Sequence, residues 1–276
     1  MAIRRVLFAL SFVGLSLLYG AIGNAAPTAR AARAVRSASF DWDDNTVYMK
    51  TNVYLRSKTG GPERTISTGE YALEKHNIGT TGKHAGYELD LSPGGSFRDS
   101  SDHQGRNFFV RDLRKTIRAG GAWQGPSWDA FVRALSTPES ARRTTIITAR
   151  QQSSETLYEG LRFLQKEGYV RHVPSRANLF GVGKAGFTVG AKAPEGTTAD
   201  KKVAVQRSLL SELTRRAARD HAAQAWTFSD DDWHNFSTSL RELSADVKSG
   251  KYPGVQIELR YTGVNDPAHA QQTVSL

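Results

Sequence analysis

The 276 residues carry a formal charge of +10, are 39% hydrophobic and 23% charged, and include no cysteine. That composition excludes wholesale disorder, and the length suits one large domain or a domain with an insertion. The lack of cysteine excludes a disulfide framework, a thiol nucleophile and a cysteine metal site, while the positive charge favours anionic ligands without choosing among phosphates, nucleic acid and acidic membranes.

Arg4 and Arg5 precede a stretch from Val6 to Ile22 that is apolar or small throughout, and Gly23 and Ala25 then stand at −3 and −1 of a cut before Ala26. This pattern predicts an export leader over 1–25 and a periplasmic or secreted destination. The alternative is an uncleaved anchor, for which the stretch is at the short end. With the leader removed, no later segment is apolar enough to span a membrane. The Ala/Arg-rich residues 26–36 read as a mobile basic arm.

A partly β-branched run from Ala34 to Phe40 predicts a strand that ends on "DWDDN", with Asp41, Asp43 and Asp44 crowded after an apolar residue. Residues from about 50 to 122 are rich in Gly, Ser, Thr and His and read as an insertion or cap, with one short helix at "TGEYALEKH". Its "SKTGGPER" and "RDSSDHQGR" loops are basic enough to recruit anionic substrates, against a default of scattered surface charge. "PSWDAFVRALS" then predicts a helix, and "RTTIITAR" a short buried strand. "SSETLYEGLRFLQKEG" has a Ser cap, leucines at helical spacing and a closing Gly168. A long helix over "ADKKVAVQRSLLSELTRRAARD", a strand over Ala222 to Phe228, a helix over "NFSTSLRELSADVKSG" and a strand over Val255 to Thr262 complete the chain.

This alternation predicts βαβ units and an α/β domain, doubly wound around a mostly parallel sheet. In such sheets ligands bind beyond the carboxyl ends of the strands. Three clusters fall there: Asp41 to Asp44, Thr148 to Arg150, and Asp230 to Asp232. Taken singly, an acidic run is more often a helix-start patch or a solvated turn. Two such runs, each ending a strand, can meet only through the fold, and like charges brought together favour a cation between them. Oxygen donors suit Mg²⁺. The seven histidines show no zinc spacing, and neither a Walker loop nor a G-x-S-x-G elbow occurs.

These motifs, in this order, resemble the haloacid dehalogenase (HAD) superfamily of aspartate-nucleophile phosphatases. "FDWDDN" matches its first motif with Asp41 and Asp43, "TIITAR" its second with Thr148, "DKKVAV" its third with Lys202 or Lys201, and "FSDDD" its fourth with Asp230 and Asp231. Two departures stand out. Asn45 replaces the usual Thr or Val, and His234 stands four residues after Asp230 where a second acid is common. Asp231 is therefore read as the second acid and Asp232 as a helix cap, a division that a shift of one position would change.

The resemblance implies a Rossmann-like HAD sheet with a cap insertion after the first strand. It implies Mg²⁺ held by Asp41, Asp230, Asp231 and the Asp43 carbonyl, with Asp41 as nucleophile and Asp43 as acid and base. Thr148 would bond the phosphoryl group and Lys202 would stabilise its charge. The implied activity is hydrolysis of a small phosphate monoester, or transfer of the phosphoryl group to an alcohol. The alternative is a non-catalytic protein of this fold that binds an anionic polymer such as nucleic acid. Nothing in the sequence indicates an oligomeric state. Taken alone, Thr148 simply ends a strand and Arg150 orients the following loop or faces solvent. Trp42, Trp226 and Trp233 beside the acids read as core more readily than as a substrate wall.

Overall fold

The computed structural model describes residues 34–276 apart from Pro93, His103, Gln104 and Asn265. The expected leader at 1–25, and most of the expected arm at 26–36, lie outside the described residues. Six strands build the main sheet: β1 (Val35–Phe40), β5 (Thr144–Thr148), β6 (Leu179–Gly181), β7 (Gln224–Asp230), β8 (Val255–Tyr261) and β9 (Gln272–Ser275). Their order is β6-β5-β1-β7-β8-β9. All neighbours are parallel except β9, which runs antiparallel to β8. A strand inside a parallel sheet is covered on both faces, and β5 (TTIIT) is accordingly buried at every position.

Register fixes where the chemistry can gather. Phe40 pairs with Ile146 on one side and Ser229 on the other, so β1, β5 and β7 end at one edge. Asp41, Thr148 and Asp230 arrive there together. Helices α5 (Ser154–Lys166), α6 (Thr198–Asp220) and α7 (Trp233–Lys248) complete the βαβ units. One apolar cluster joins Phe40, Trp42, Phe131, Leu157 and Leu161, and a second joins Ile147, Val205, Leu210, Phe228 and Leu243. Each fully buried side chain of this kind contributes about 1.5–3 kcal/mol before entropy is set against it.

The segment expected as one insertion over about 50–122 contains two different structures. Strands β2 (Asn52–Ser57), β3 (Arg64–Ser67) and β4 (Tyr87–Leu89) form a separate antiparallel sheet in the order β3-β2-β4, joined by α1 (Thr68–Glu74). The alternation in β2 turns Val53 and Leu55 inward, against Ile66, Tyr71 and Phe97. By contrast α2 (Phe108–Arg118) buries Phe109 and Leu113 in the main core. Two short helices, α3 (Trp128–Ala134) and α4 (Pro138–Arg142), lead back to β5. Among the described residues no helix is long and apolar enough to cross a membrane.

Candidate functional site

The chain leaves β1 through a turn that the sequence specifies closely. The Asp41 amide still donates to the Ser229 carbonyl at 2.9 Å, extending the β1–β7 pairing by one residue. Beyond it the amides of Thr46 and Val47 both donate to the Trp42 carbonyl at 3.0 Å, and Asp44 takes the left-handed conformation with φ 59°. Aspartate tolerates that region better than most residues. Asn45, the departure from the resembled motif, is completely buried and has a structural task. Its amide donates to the Asp41 and Ser229 carbonyls at 3.0 and 3.1 Å, while its oxygen accepts from the Ser127 and Thr262 hydroxyls at 2.8 and 2.7 Å. A threonine or valine could not make all four bonds.

At the strand ends, Asp41, Asp230 and Asp231 each offer a carboxylate oxygen, all within 4.8 Å of one another. Lys202 reaches them from the second turn of α6. Its Nζ donates to Asp41 Oδ1 at 2.6 Å and to Asp230 Oδ2 at 2.7 Å, and its side chain is only 1% exposed. Lys201 is half-buried and makes no ion pair among the described residues. Asp232 stands outside the cluster: its Oδ1 caps α7 by accepting from the His234 and Asn235 amides, and its Oδ2 accepts from Lys75 at 2.7 Å. Asp230 is further held by the Asp232 amide and the Asn235 side chain, both donating to its Oδ1.

The charges in this cluster do not balance. Two buried carboxylates and the half-buried Asp231 face one ammonium, an excess of two negative charges if all ionise. Burial, and then the neighbouring carboxylates, push Asp231 well above the usual carboxylate range. Burial and Asp230 do the same to Asp41 against the pull of Lys202. Burial opposes the charge on Lys202, but Asp230 and Asp41 outweigh it and hold the ammonium protonated. The Asp231 carboxylate has no hydrogen-bond donor among the described residues. An all-oxygen donor set with this deficit fits one hard divalent cation.

Asp43 lies beside the cluster and is clamped by Arg150. Nε and Nη2 of Arg150 donate to its two oxygens at 2.8 and 2.7 Å. The same Nη2 donates to Thr51 Oγ1 at 2.6 Å, and Nη1 to Gln152 Oε1 at 3.2 Å. Arg150 is 2% exposed, so it neither faces solvent nor serves only its own loop. Its importance escaped the sequence reading because its partner lies 107 residues away, although a cation at a strand end beside two acidic runs was a signal. Thr148 is fully buried at the end of β5, and its hydroxyl accepts from the Arg150 amide at 3.3 Å. Burial, then the charge of Asp43, push Asp44 up to about 7.

A cleft of about 700 Å³ opens over these groups. Its floor includes Asp41, Thr148, Lys202 and Asp231, and the three-stranded sheet and its connections contribute Val53, Tyr71, Lys75 and Phe97. Lys75 crosses from α1 to Asp232. Trp42 and Trp226 are core residues, and Trp226 donates to Ser39 Oγ at 2.9 Å. Trp233 stacks on His269 with ring centroids 3.8 Å apart.

Fold and site together define an α/β protein with a mostly parallel sheet, whose strand ends carry a three-carboxylate, one-lysine centre able to hold a metal ion. Comparison with protein-family models, curated proteins and solved structures found no match.

Proposed function

We propose that the chain is an exported, Mg²⁺-dependent phosphatase of the HAD type, hydrolysing a phosphate monoester through an aspartyl-phosphate. The observation that carries this reading is the position of Asp41. It ends the central strand and faces the cleft, with one oxygen held by Lys202 and two further carboxylates within 4.8 Å. Solvated surface aspartates have no reason to be buried together around a lysine.

In the first step a carboxylate oxygen of Asp41 attacks phosphorus, forming the aspartyl-phosphate as the ester P–O bond breaks. The Asp43 side chain gives a proton to the departing alkoxide, a role for which one of its oxygens must leave the Arg150 clamp to carry that proton. Arg150 fixes the direction of Asp43 through its two-point clamp. In the second step Asp43 takes a proton from water, whose oxygen attacks phosphorus and frees Asp41 with release of phosphate. Lys202 and the Thr148 hydroxyl are placed to stabilise phosphoryl charge. When bound by Asp41, Asp230, Asp231 and the Asp43 carbonyl, Mg²⁺ supplies the charge neutralisation that lets a carboxylate approach a phosphate. The three-stranded sheet acts as the cap, since its residues wall the cleft. Export rests on the leader-like pattern at 1–25.

The test is hydrolysis of 4-nitrophenyl phosphate by the wild type and Asp41→Asn, with Mg²⁺ or EDTA. The expected result is turnover that needs the metal and falls about 10³-fold or more in the variant. Activity retained by Asp41→Asn contradicts the mechanism. Inactivity of the wild type, together with salt-dependent binding to nucleic acid, supports the anionic-polymer binder instead.

A further inference from the structure

The charge of the cleft is opposite to that of the chain. The molecule carries +10 overall, yet the cleft is lined by Asp41, Asp43, Asp44, Asp102, Asp231 and Asp232 against four cations among the described residues. Three of those cations are already engaged: Lys202 with Asp41 at 2.6 Å, Arg150 with Asp43 at 2.7 Å and Lys75 with Asp232 at 2.7 Å. Only Lys184 makes no ion pair among the described residues. With all six carboxylates ionised the excess is two negative charges, which one divalent cation would cancel, leaving no surplus positive charge for a second anionic group.

The cations of the three-stranded unit do not remedy this. Arg56 pairs with Glu88 at 2.8 Å, Arg98 with Glu63 at 2.7 Å, and Arg64 donates to the Lys83 carbonyl at 2.8 Å. Arg56 and Arg98 are thus neutralised within their own unit, and none of Arg56, Arg64 and Arg98 lines the cleft. What that unit presents to the cleft is largely apolar. Tyr71 and Phe97 meet edge to face at 5.2 Å, Val53 lies beside them, and Leu91 is 74% exposed on the cleft wall. Its neutral polar groups there are Thr68, Ser100 and Ser101, beside Asp102 and the engaged Lys75, and Thr68 Oγ1 is buried with no hydrogen-bond partner.

We infer that the cleft selects phosphate monoesters of uncharged, apolar or aromatic alcohols, seating the alcohol against Tyr71, Leu91 and Phe97, and disfavours esters carrying a second negative charge. This rests on the phosphatase reading above. The attraction of the chain's basic surface for polyanions stops at the rim, because inside the cleft a second anion meets carboxylates such as Asp102 that have no ion-pair partner among the described residues.

Three esters with alcohols of comparable acidity test it: benzyl, 4-carboxybenzyl and ethyl phosphate, each measured as kcat/KM with Mg²⁺ at low ionic strength. Benzyl phosphate is expected to exceed ethyl phosphate by about tenfold or more, the discrimination an apolar pocket of this kind supplies. The added carboxylate is expected to cost about tenfold, a penalty that shrinks as salt is raised. Leu91→Ser is expected to lower the benzyl-to-ethyl ratio by about threefold. The exposure of Leu91 keeps folding out of that comparison. A 4-carboxybenzyl ester used as well as the benzyl ester overturns the inference while leaving the phosphatase reading intact. So does a benzyl-to-ethyl ratio near one, or one that Leu91→Ser leaves unchanged. No turnover of any ester removes the phosphatase reading and this inference with it.

Discussion

Asp44 shows how one residue can carry a cost in stability that depends on pH. Its carboxyl is pushed to about 7 by burial and by Asp43 beside it, against an ordinary value near 4 in the unfolded chain. Between those two values the unfolded chain has released a proton that the folded chain retains. Stability therefore falls as pH rises through that window and levels off above about 7. Asparagine cannot ionise and suits the left-handed backbone at φ 59° equally well. Asp44→Asn is expected to stabilise the protein, by a margin that grows between about pH 4 and about pH 7 to about 1–4 kcal/mol in urea unfolding. A margin that does not change with pH would remove Asp44 as the source. At this same scale the sequence was most legible for the acids, because Asp41 and Asp230 each follow a β-branched or aromatic run that reads as a strand. Lys202 rather than Lys201, and Asp231 rather than Asp232, are choices that only the turn of α6 and the cap of α7 display.

Among the elements, the strands and helices of the main sheet were readable from periodicity, and the three clusters expected at strand ends do meet in one cleft. The short strands β6 and β9 were not read, since three or four residues hold too little pattern. The β3-β2-β4 sheet was hidden for another reason: its stability comes from pairing across loops of glycine and polar residues, a non-local property. Helix α2 was hidden by the loop signals on both sides, although it packs Phe109 tightly against α5. A Cβ on Gly160 of α5 would lie 2.2 Å from Phe109 Cδ1. Helix propensity alone predicts that Gly160→Ala stabilises by about 1 kcal/mol. The buried ring has little room to retreat, so the expected outcome is the opposite sign, a loss of about 1–2 kcal/mol in thermal or urea unfolding. Stabilisation would show that α2 and α5 are less closely packed than described.

For the whole molecule, the deficit of positive charge at the strand ends makes metal binding a stability statement. A cation held by the folded chain alone stabilises it by about 2.7 kcal/mol at a hundred times its dissociation constant. For a domain of this size that corresponds to a rise in Tm of about 5–10 °C. Saturating Mg²⁺ is expected to produce such a rise in the wild type and little or none in the Asp41→Asn, Asp231→Asn double variant. Equal shifts in both would place the bound metal elsewhere. Ionic screening alone is excluded by the same experiment at constant ionic strength. The contrast between a basic chain and an acidic cleft also belongs to this scale: net charge describes what the surface meets, and says little about what the site accepts.

The most direct test of the central claim is to catch the phosphoryl group on its proposed carrier. The wild type, turning over a phosphate monoester with Mg²⁺, would be quenched in acid and digested with pepsin at low pH, where an acyl phosphate survives, and the peptide that spans Asp41 examined by mass spectrometry. This peptide is expected to gain one phosphoryl group, located on Asp41 and removed by hydroxylamine. Product formation with the peptide unmodified at every quench time, and the phosphoryl group found on another residue, would contradict that claim.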